Sequence, residues 1–315
     1  MSPSKPSDTS QHCSVLLQES IEALQVAPAG VYLDATFGRG GHTQALLHQL
    51  GPQGRVIGID QDPQAVAYGR GHFEDEPRFE MVHASFCQMQ SICEARGLVG
   101  QIDGVLMDLG VSSPQLDQAE RGFSFMRSGP LDMRMNPEQG PTAEQWVQAV
   151  SEQTLVQVLK DYGEERFAKR IARAMKQASA EGQLATTDQL AKLVRSAVPR
   201  SVPGKHPATR TFQALRIAVN GELEGLVEGL EQAVQVLKPE GRLAVISFHS
   251  LEDRRVKRLI RHYASPRDLY PESPIEIEVV PAVLKKLGKP IFPSKTECQS
   301  NPRARSAVLR GAQKI

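Results

Sequence analysis

Four apolar runs, each five to eight residues long, open this chain at Val31–Ala35, Arg55–Asp60, Phe79–His83 and Ile102–Leu109. Helical patterns fall between them, the first starting near His42. Continuous apolar strands alternating with helices predict a parallel sheet buried on both faces. From Leu116 to about Arg210 no strand pattern occurs. Amphipathic helical stretches take its place at Trp146–Tyr162, Glu164–Ala180 and Thr187–Val198, the last with an N-cap signal in Thr186-Thr187-Asp188. Pro199, Pro203-Gly204 and Pro207 break the chain, and Ala208–Leu237 then reads as helix, weakened by Gly221, Gly225 and Gly229. A buried strand returns at Gly241–Phe248, with strand-like pieces at Ile275–Val280 and Ser306–Arg310.

This order predicts an α/β fold: a doubly wound, Rossmann-like parallel sheet with an inserted all-helical domain. The expected boundaries are 1–115 for the first part of the cofactor-binding α/β domain and 116–212 for the helical, substrate-recognising insert. Residues 213–315 complete the α/β domain and add a basic tail. The insert leaves the sheet at the carboxyl end of its fourth strand, where such sheets bind ligands. It is therefore expected to act as a lid or a substrate-reading module.

Composition is that of a soluble globular protein, 40% hydrophobic and 23% charged. No apolar run approaches the ~20 residues of a membrane span, and the polar N-terminus resembles a short disordered lead-in rather than a secretory signal. The formal net charge of +1 conceals an asymmetry. Lys160–Arg216 holds 12 basic and 5 acidic residues, and Arg254–Ile315 holds 14 and 5. Two basic blocks on a nearly neutral chain suggest a surface for a polyanion, with nucleic acid the natural candidate. The cysteines, Cys13, Cys87, Cys93 and Cys298, form no zinc-spaced cluster, and no metal site is expected. None follows a proline, as the nucleophile of a pyrimidine C5 methyltransferase commonly does, so an exocyclic atom is the better target on such a base.

The densest chemistry lies in Leu33-Asp34-Ala35-Thr36-Phe37-Gly38-Arg39-Gly40-Gly41-His42. A strand there breaks into glycines that let the backbone approach a ligand, and the following helix aims its free N–H groups at the same place. Asp60 ends the next strand 20 residues after Gly40, where a carboxylate can take the hydroxyls of a ribose. The dinucleotide pattern would need a third glycine at Thr43, so S-adenosylmethionine is favoured over NAD. At the end of the fourth strand Asp108 precedes a small-residue loop, Gly110-Val111-Ser112-Ser113-Pro114-Gln115. A carboxylate beside a rigid loop suits methylation of a ring amine, which needs an acceptor on its N–H and a fixed base. Asp108, Ser113 and Pro114 are thus the candidate catalytic residues. Phe86 could cover an adenine. His249-Ser250 with Glu252-Asp253 is expected to line the substrate pocket, since no nucleophile elbow accompanies it. His206–Phe212 combines cation, hydroxyl and aromatic groups and suits contact with RNA.

Long stretches of the chain resemble the RsmH (MraW) family. They include Asp34-x-Thr36-x-Gly38-Arg39-Gly40-Gly41-His42, Asp108-Leu109-Gly110-Val111-Ser112-Ser113-Pro114-Gln115, Arg121-Gly122-Phe123-Ser124-Phe125 and Ser247-Phe248-His249-Ser250-Leu251-Glu252-Asp253. The resemblance runs from about residue 12 to residue 310. It implies a class I methyltransferase, an S-adenosyl-L-methionine-dependent enzyme that methylates N4 of one cytidine in 16S rRNA, in the decoding region of the small subunit. The partner it implies is 16S rRNA within the 30S subunit, in the cytoplasm, with no membrane and no metal. Carried over by position, the cofactor contacts are Gly40, Gly41, His42, Asp60, Phe86, Asp108 and Gln115. Two departures, Ser14 where the family has proline and Gln148 where asparagine is frequent, are expected to lie away from the cofactor pocket. An rRNA-binding assembly factor, an NAD-dependent oxidoreductase and a DNA amine methyltransferase remain as alternatives.

Overall fold

The computed structural model describes residues 14–199, 206–268 and 279–315. Seven strands form one sheet: β1 (Val31–Asp34), β2 (Arg55–Asp60), β3 (Phe79–His83), β4 (Ile102–Asp108), β5 (Leu237–Ser247), β6 (Leu284–Ile291) and β7 (Val308–Lys314). Their spatial order is β3-β2-β1-β4-β5-β7-β6. The first five are parallel, and β7 runs antiparallel to both of its neighbours. This is the doubly wound sheet that the apolar pattern predicts, in the class I methyltransferase arrangement that the resemblance implies. Successive side chains point to opposite faces, and each face packs its own core. Leu33, Ile57, Val105 and Val245 belong to one cluster, and Tyr32, Val56, Leu106 and Ile246 to the other.

Thirteen α-helices accompany the sheet among the described residues. Against the first half lie α1 (Leu17–Leu24), α2 (Gly41–Gln49), α3 (Pro63–His72) and α4 (Met89–Glu94). The short α5 (Ser113–Asp117) leads into α6 (Ala143–Ala149), α7 (Glu152–Asp161), α8 (Ala168–Ala180), α9 (Thr187–Ala197) and α10 (Thr209–Asn220). Then follow α11 (Glu222–Val236), α12 (Ser250–Tyr263) and α13 (Lys295–Ser300). Residues between Phe123 and Leu215 form a third core of their own, centred on side chains such as Leu155, Ile171, Leu190 and Leu215.

Several elements are shorter than the periodicity predicts, each for a local reason. Trp146–Tyr162 is two helices, because Val150 is extended and Ser151 caps α7 by accepting from Thr154 N–H at 3.0 Å. Glu164–Ala180 becomes helix only at Ala168, since Glu164 takes φ +49°. Ala208–Leu237 divides at Gly221, whose φ of +57° ends α10 in the left-handed region open to glycine. The strand expected at Ser306–Arg310 begins at Val308, after a 3-10 turn over Pro302–Ser306. Most of Ile275–Val280 lies outside the described residues, as do Cys13 and the expected lead-in; Val279–Val280 pairs with Arg267–Asp268 in a two-residue ribbon.

Candidate active site

Strand order reverses between β1 and β4, so a crevice opens at their carboxyl ends. In register, Asp34 lies opposite Gly58 of β2 and Leu106 of β4. Asp60 and Asp108 therefore project two residues beyond it on either side. Three carboxyls line one edge as a result, and burial raises all three. Asp34 and Asp60 are pushed up to about 6, while Asp108 rises well above the usual carboxylate range through burial, then the nearby Asp34 and Glu252 charges. Carboxyls crowded this way gain from a cationic ligand, whose charge favours their ionised form.

Each acid is held by its surroundings. Thr43 Oγ1 donates to Asp34 Oδ2 at 2.7 Å. Gly38 N–H donates to Asp60 Oδ2 at 2.8 Å, and Asp62 N–H to Oδ1 at 2.9 Å. Each Asp60 oxygen thus keeps a lone pair for a ligand hydroxyl. Asp108 N–H donates to Thr36 Oγ1 at 2.6 Å, fixing the start of the loop. His42 Nδ1 lies 3.8 Å from Asp108 Oδ2, but burial lowers the imidazole to about 4. His42 is therefore neutral at physiological pH, and the contact is polar rather than ionic. Asp34 Oδ1, His42 Nε2, Asp108 Oδ1 and Ser247 Oγ are buried with no partner among the described residues. Unpaired buried polar atoms are costly, and these converge where β1, β4 and β5 end. The donor set fits a ligand carrying hydroxyls, amino protons and a positive charge.

The glycine turn is packed tightly against the chain's own side chains. Gly40 has φ +70°, and a Cβ there would meet the Phe37 ring at 2.7 Å. At Gly41 a Cβ would come within 2.1 Å of Ser14 Oγ. Ser14 thus abuts the turn, which corrects the expectation that it lies away from the pocket: Leu16 takes φ 50°, and its N–H is held by Glu297 Oε1 at 2.7 Å, folding the chain back over α2. Gln148 is exposed on α6.

The remaining candidates have their own settings. Gln115 is buried, accepts from Ser112 N–H at 2.9 Å and donates to Asp62 Oδ2 at 2.8 Å. Ser113 and Pro114 are half-buried in the first turn of α5. Phe86 follows β3, and its ring packs on Gly229 of α11, where a Cβ would clash at 2.4 Å. Phe212 is buried beside Phe125 in the helical core, and Thr211 is fully buried. Those two cannot make the contact with RNA that the sequence suggests. His206 stacks on Phe125 at 4.3 Å.

Two polar centres lie beside the site; the sequence pointed to the second as part of the substrate pocket but gave the first no role. Arg121 Nη1 donates to Asp62 Oδ2 at 2.8 Å, and its Nη2 donates to the carbonyls of Met135 and Arg134 at 2.8 and 3.2 Å. Both partners are buried. Their sequence signal is only that Asp62 precedes a proline as an N-cap would. Glu252 is the second. Burial alone would raise its carboxyl, but His249, Arg216 and the Phe248 N–H, which donates at 2.7 Å, bring it below the usual value. It is a fixed negative charge facing the Asp108 end of the crevice.

A protein of Hydrogenovibrio crunogenus named ribosomal RNA small subunit methyltransferase H is 60% identical over the full length of both chains. Its namesake from Idiomarina loihiensis is 53% identical over 97% of each chain. Among solved structures, an rRNA methylase from Streptococcus thermophilus aligns at 12% identity with a TM-score of 0.42, over 95% of each chain. Residues 9–315 match the model of the MraW methylase family, and the chain belongs to that family.

Proposed function

We propose that this protein is a small-subunit rRNA methyltransferase that methylates the exocyclic N4 of one cytidine of 16S rRNA, in the decoding region, acting on the 30S particle in the cytoplasm. The names of its relatives support the rRNA substrate. The observation that carries the chemistry is the Asp108 carboxyl, half-buried at the end of β4, its buried Oδ1 without a partner among the described residues and a neutral histidine at its side.

S-adenosylmethionine, when bound, would supply a methyl group on a positively charged sulfur that can leave as a neutral thioether. Gly40, Gly41 and His42 would hold the donor at the N-terminus of α2, Asp60 its ribose hydroxyls and Phe86 its adenine, with Gln115 at the rim. Cytosine N4 is a poor nucleophile because its lone pair is delocalised into the ring. Asp108 accepts a hydrogen bond from the N4–H, which draws that lone pair out of conjugation, and then takes the surplus proton for release to water. Its raised affinity for protons suits that step, and the donor's positive charge keeps it ionised beforehand. Ser113 and Pro114, on a turn fixed by Gln115, would hold the base in line. The target base must leave its stack to reach them. The helical insert, residues 116–212, would read the surrounding rRNA.

The test is transfer of labelled methyl groups to 30S subunits from a strain lacking this protein, with naked 16S rRNA and DNA alongside. Label recovered as N4-methylcytidine in 16S rRNA, and lost in Asp108→Asn, is expected. Label on DNA alone, or on no substrate despite cofactor binding, would overturn the assignment.

A further inference from the structure

On the far flank of the sheet, away from the crevice, a groove of about 260 Å³ lies between the second half of α12 and the edge strand β6. Lys257 and Arg261 reach it from α12, one helical turn apart on a shared face. Lys286 and Lys289 reach it from β6. All four are exposed, and among the described residues none has a hydrogen bond or ion pair. Among the described residues no carboxylate lines the groove. Arg310, a fifth cation in its wall, is already held by Asp253 through two bonds of 2.6 and 2.9 Å. The floor is apolar, made by Ile260, Leu287 and Pro290.

Edge strands often carry lysines simply to discourage pairing with other chains. That purpose accounts for Lys286 and Lys289 but not for Lys257 and Arg261, which sit on a helix and converge on the same hollow. Four unneutralised cations repel one another, so the arrangement is a standing cost unless an anion fills it. The apolar floor suits a sugar better than a free inorganic ion. The groove also has a direction. Ile291 pairs with Leu309 near the carboxyl end of β6, and Phe292, 64% exposed, follows at the same edge as the crevice. From the start of α12 at that edge to Lys257 is about 10 Å at 1.5 Å per residue. A chain leaving the crevice could therefore run down this flank.

We propose that the groove binds the phosphodiester backbone of the rRNA substrate, at nucleotides outside the one being methylated. This rests on the rRNA assignment above. The groove would neutralise phosphates and so contribute affinity and salt sensitivity without sequence choice.

The test compares the full-length protein with a variant carrying Lys257→Gln, Arg261→Gln, Lys286→Gln and Lys289→Gln. A second variant keeps Arg261 and replaces the three lysines by arginine. Equilibrium binding to 30S subunits and to a single-stranded 16S rRNA fragment is measured between about 50 and 200 mM salt. For the glutamine variant, affinity is expected to drop about tenfold or more, and the log–log salt slope to become shallower by about 3, near 0.7 per lost phosphate contact. The arginine variant should keep the wild-type slope, and both should bind S-adenosylmethionine as the wild type does. An unchanged slope in the glutamine variant would overturn the proposal while leaving methylation by the wild type to stand. Vesicles containing phosphatidylserine serve as a further arm. Charge-dependent binding to them, with RNA binding unaffected, would overturn it in favour of a membrane surface. If the wild type methylates no RNA, the rRNA assignment fails, and the slopes on the RNA fragment still decide the groove.

Discussion

Burial lifts Asp34 and Asp60 to about 6, so below that pH each holds a proton that a cationic, hydroxyl-bearing ligand must displace. The sign follows directly. Ligand binding favours the ionised carboxyls, so affinity rises with pH up to about 6 and levels off above it. Calorimetric titration of S-adenosylmethionine across about pH 5 to 8 should show this rise, approaching one log unit per pH unit for each group that must ionise. Asp60→Asn should bind more weakly and lose its share of the slope, whereas a flat profile in the wild type would mean that both carboxyls are already charged. Asp108→Asn is a different kind of change. The amide cannot take a proton, and the single-turnover rate is expected to fall by about 10²–10⁴, more than donor affinity does. At Gly41 the issue is space. An added Cβ would lie 2.1 Å from Ser14 Oγ, so Gly41→Ala should cost about 1–3 kcal/mol through overpacking. Adding Ser14→Gly should restore much of the loss in melting temperature and cofactor affinity. Failure of that rescue would show that the turn tolerates no Cβ for another reason.

At the scale of elements, the buried Arg121–Asp62 pair ties the helical region to the cofactor rim. Asp62 caps α3 by accepting from Gln64 N–H at 2.9 Å, and through Gln115 it also braces α5. Removing one partner strands a buried charge, so Arg121→Ala should destabilise by about 3–5 kcal/mol in urea unfolding. Arg121→Lys keeps the charge but loses the fork that reaches two carbonyls, and an intermediate loss is expected. Elements of this kind mark where the sequence stopped being legible. Four of the five parallel strands could be read because apolar residues dominate them, and β3, where Glu80 interrupts the run, from its place between two helical patterns. The edge strand β6 could not: Lys285, Lys286, Gly288, Lys289 and Pro290 form a loop-like run that becomes a strand only because β7 lies beside it. The helix break at Val150–Ser151 was hidden because apolar spacing continues across it, and Gly221 was legible only as a weak point because two further glycines follow it. In the site, the strand-end acids could be found from position alone. The Arg121–Asp62 pair could not, since its partners lie 59 residues apart and meet only through the fold.

For the molecule as a whole, the cores make a further demand. The residues between Phe123 and Leu215 pack among themselves, apart from the clusters on the two faces of the sheet. Regions with separate cores tend to open as separate cooperative units. Amide exchange of the ligand-free protein should therefore resolve the helical unit from the sheet. A ligand that binds only the folded site stabilises whatever must be folded to form it. If the donor touched the sheet alone, its protection would stop at the sheet. The Asp62–Arg121–Met135 link carries the cofactor rim into the helical unit, and Asn220 continues it by accepting from Met135 N–H at 2.7 Å and donating to Met133 O at 2.8 Å. Saturating S-adenosylmethionine is accordingly expected to slow exchange in α6 to α10 as well as in β1 to β4. In Arg121→Ala the sheet should still be protected while the helices lose most of the added protection. Equal protection of the helices in that variant would show that the two units communicate by another route, leaving Arg121 a purely local brace.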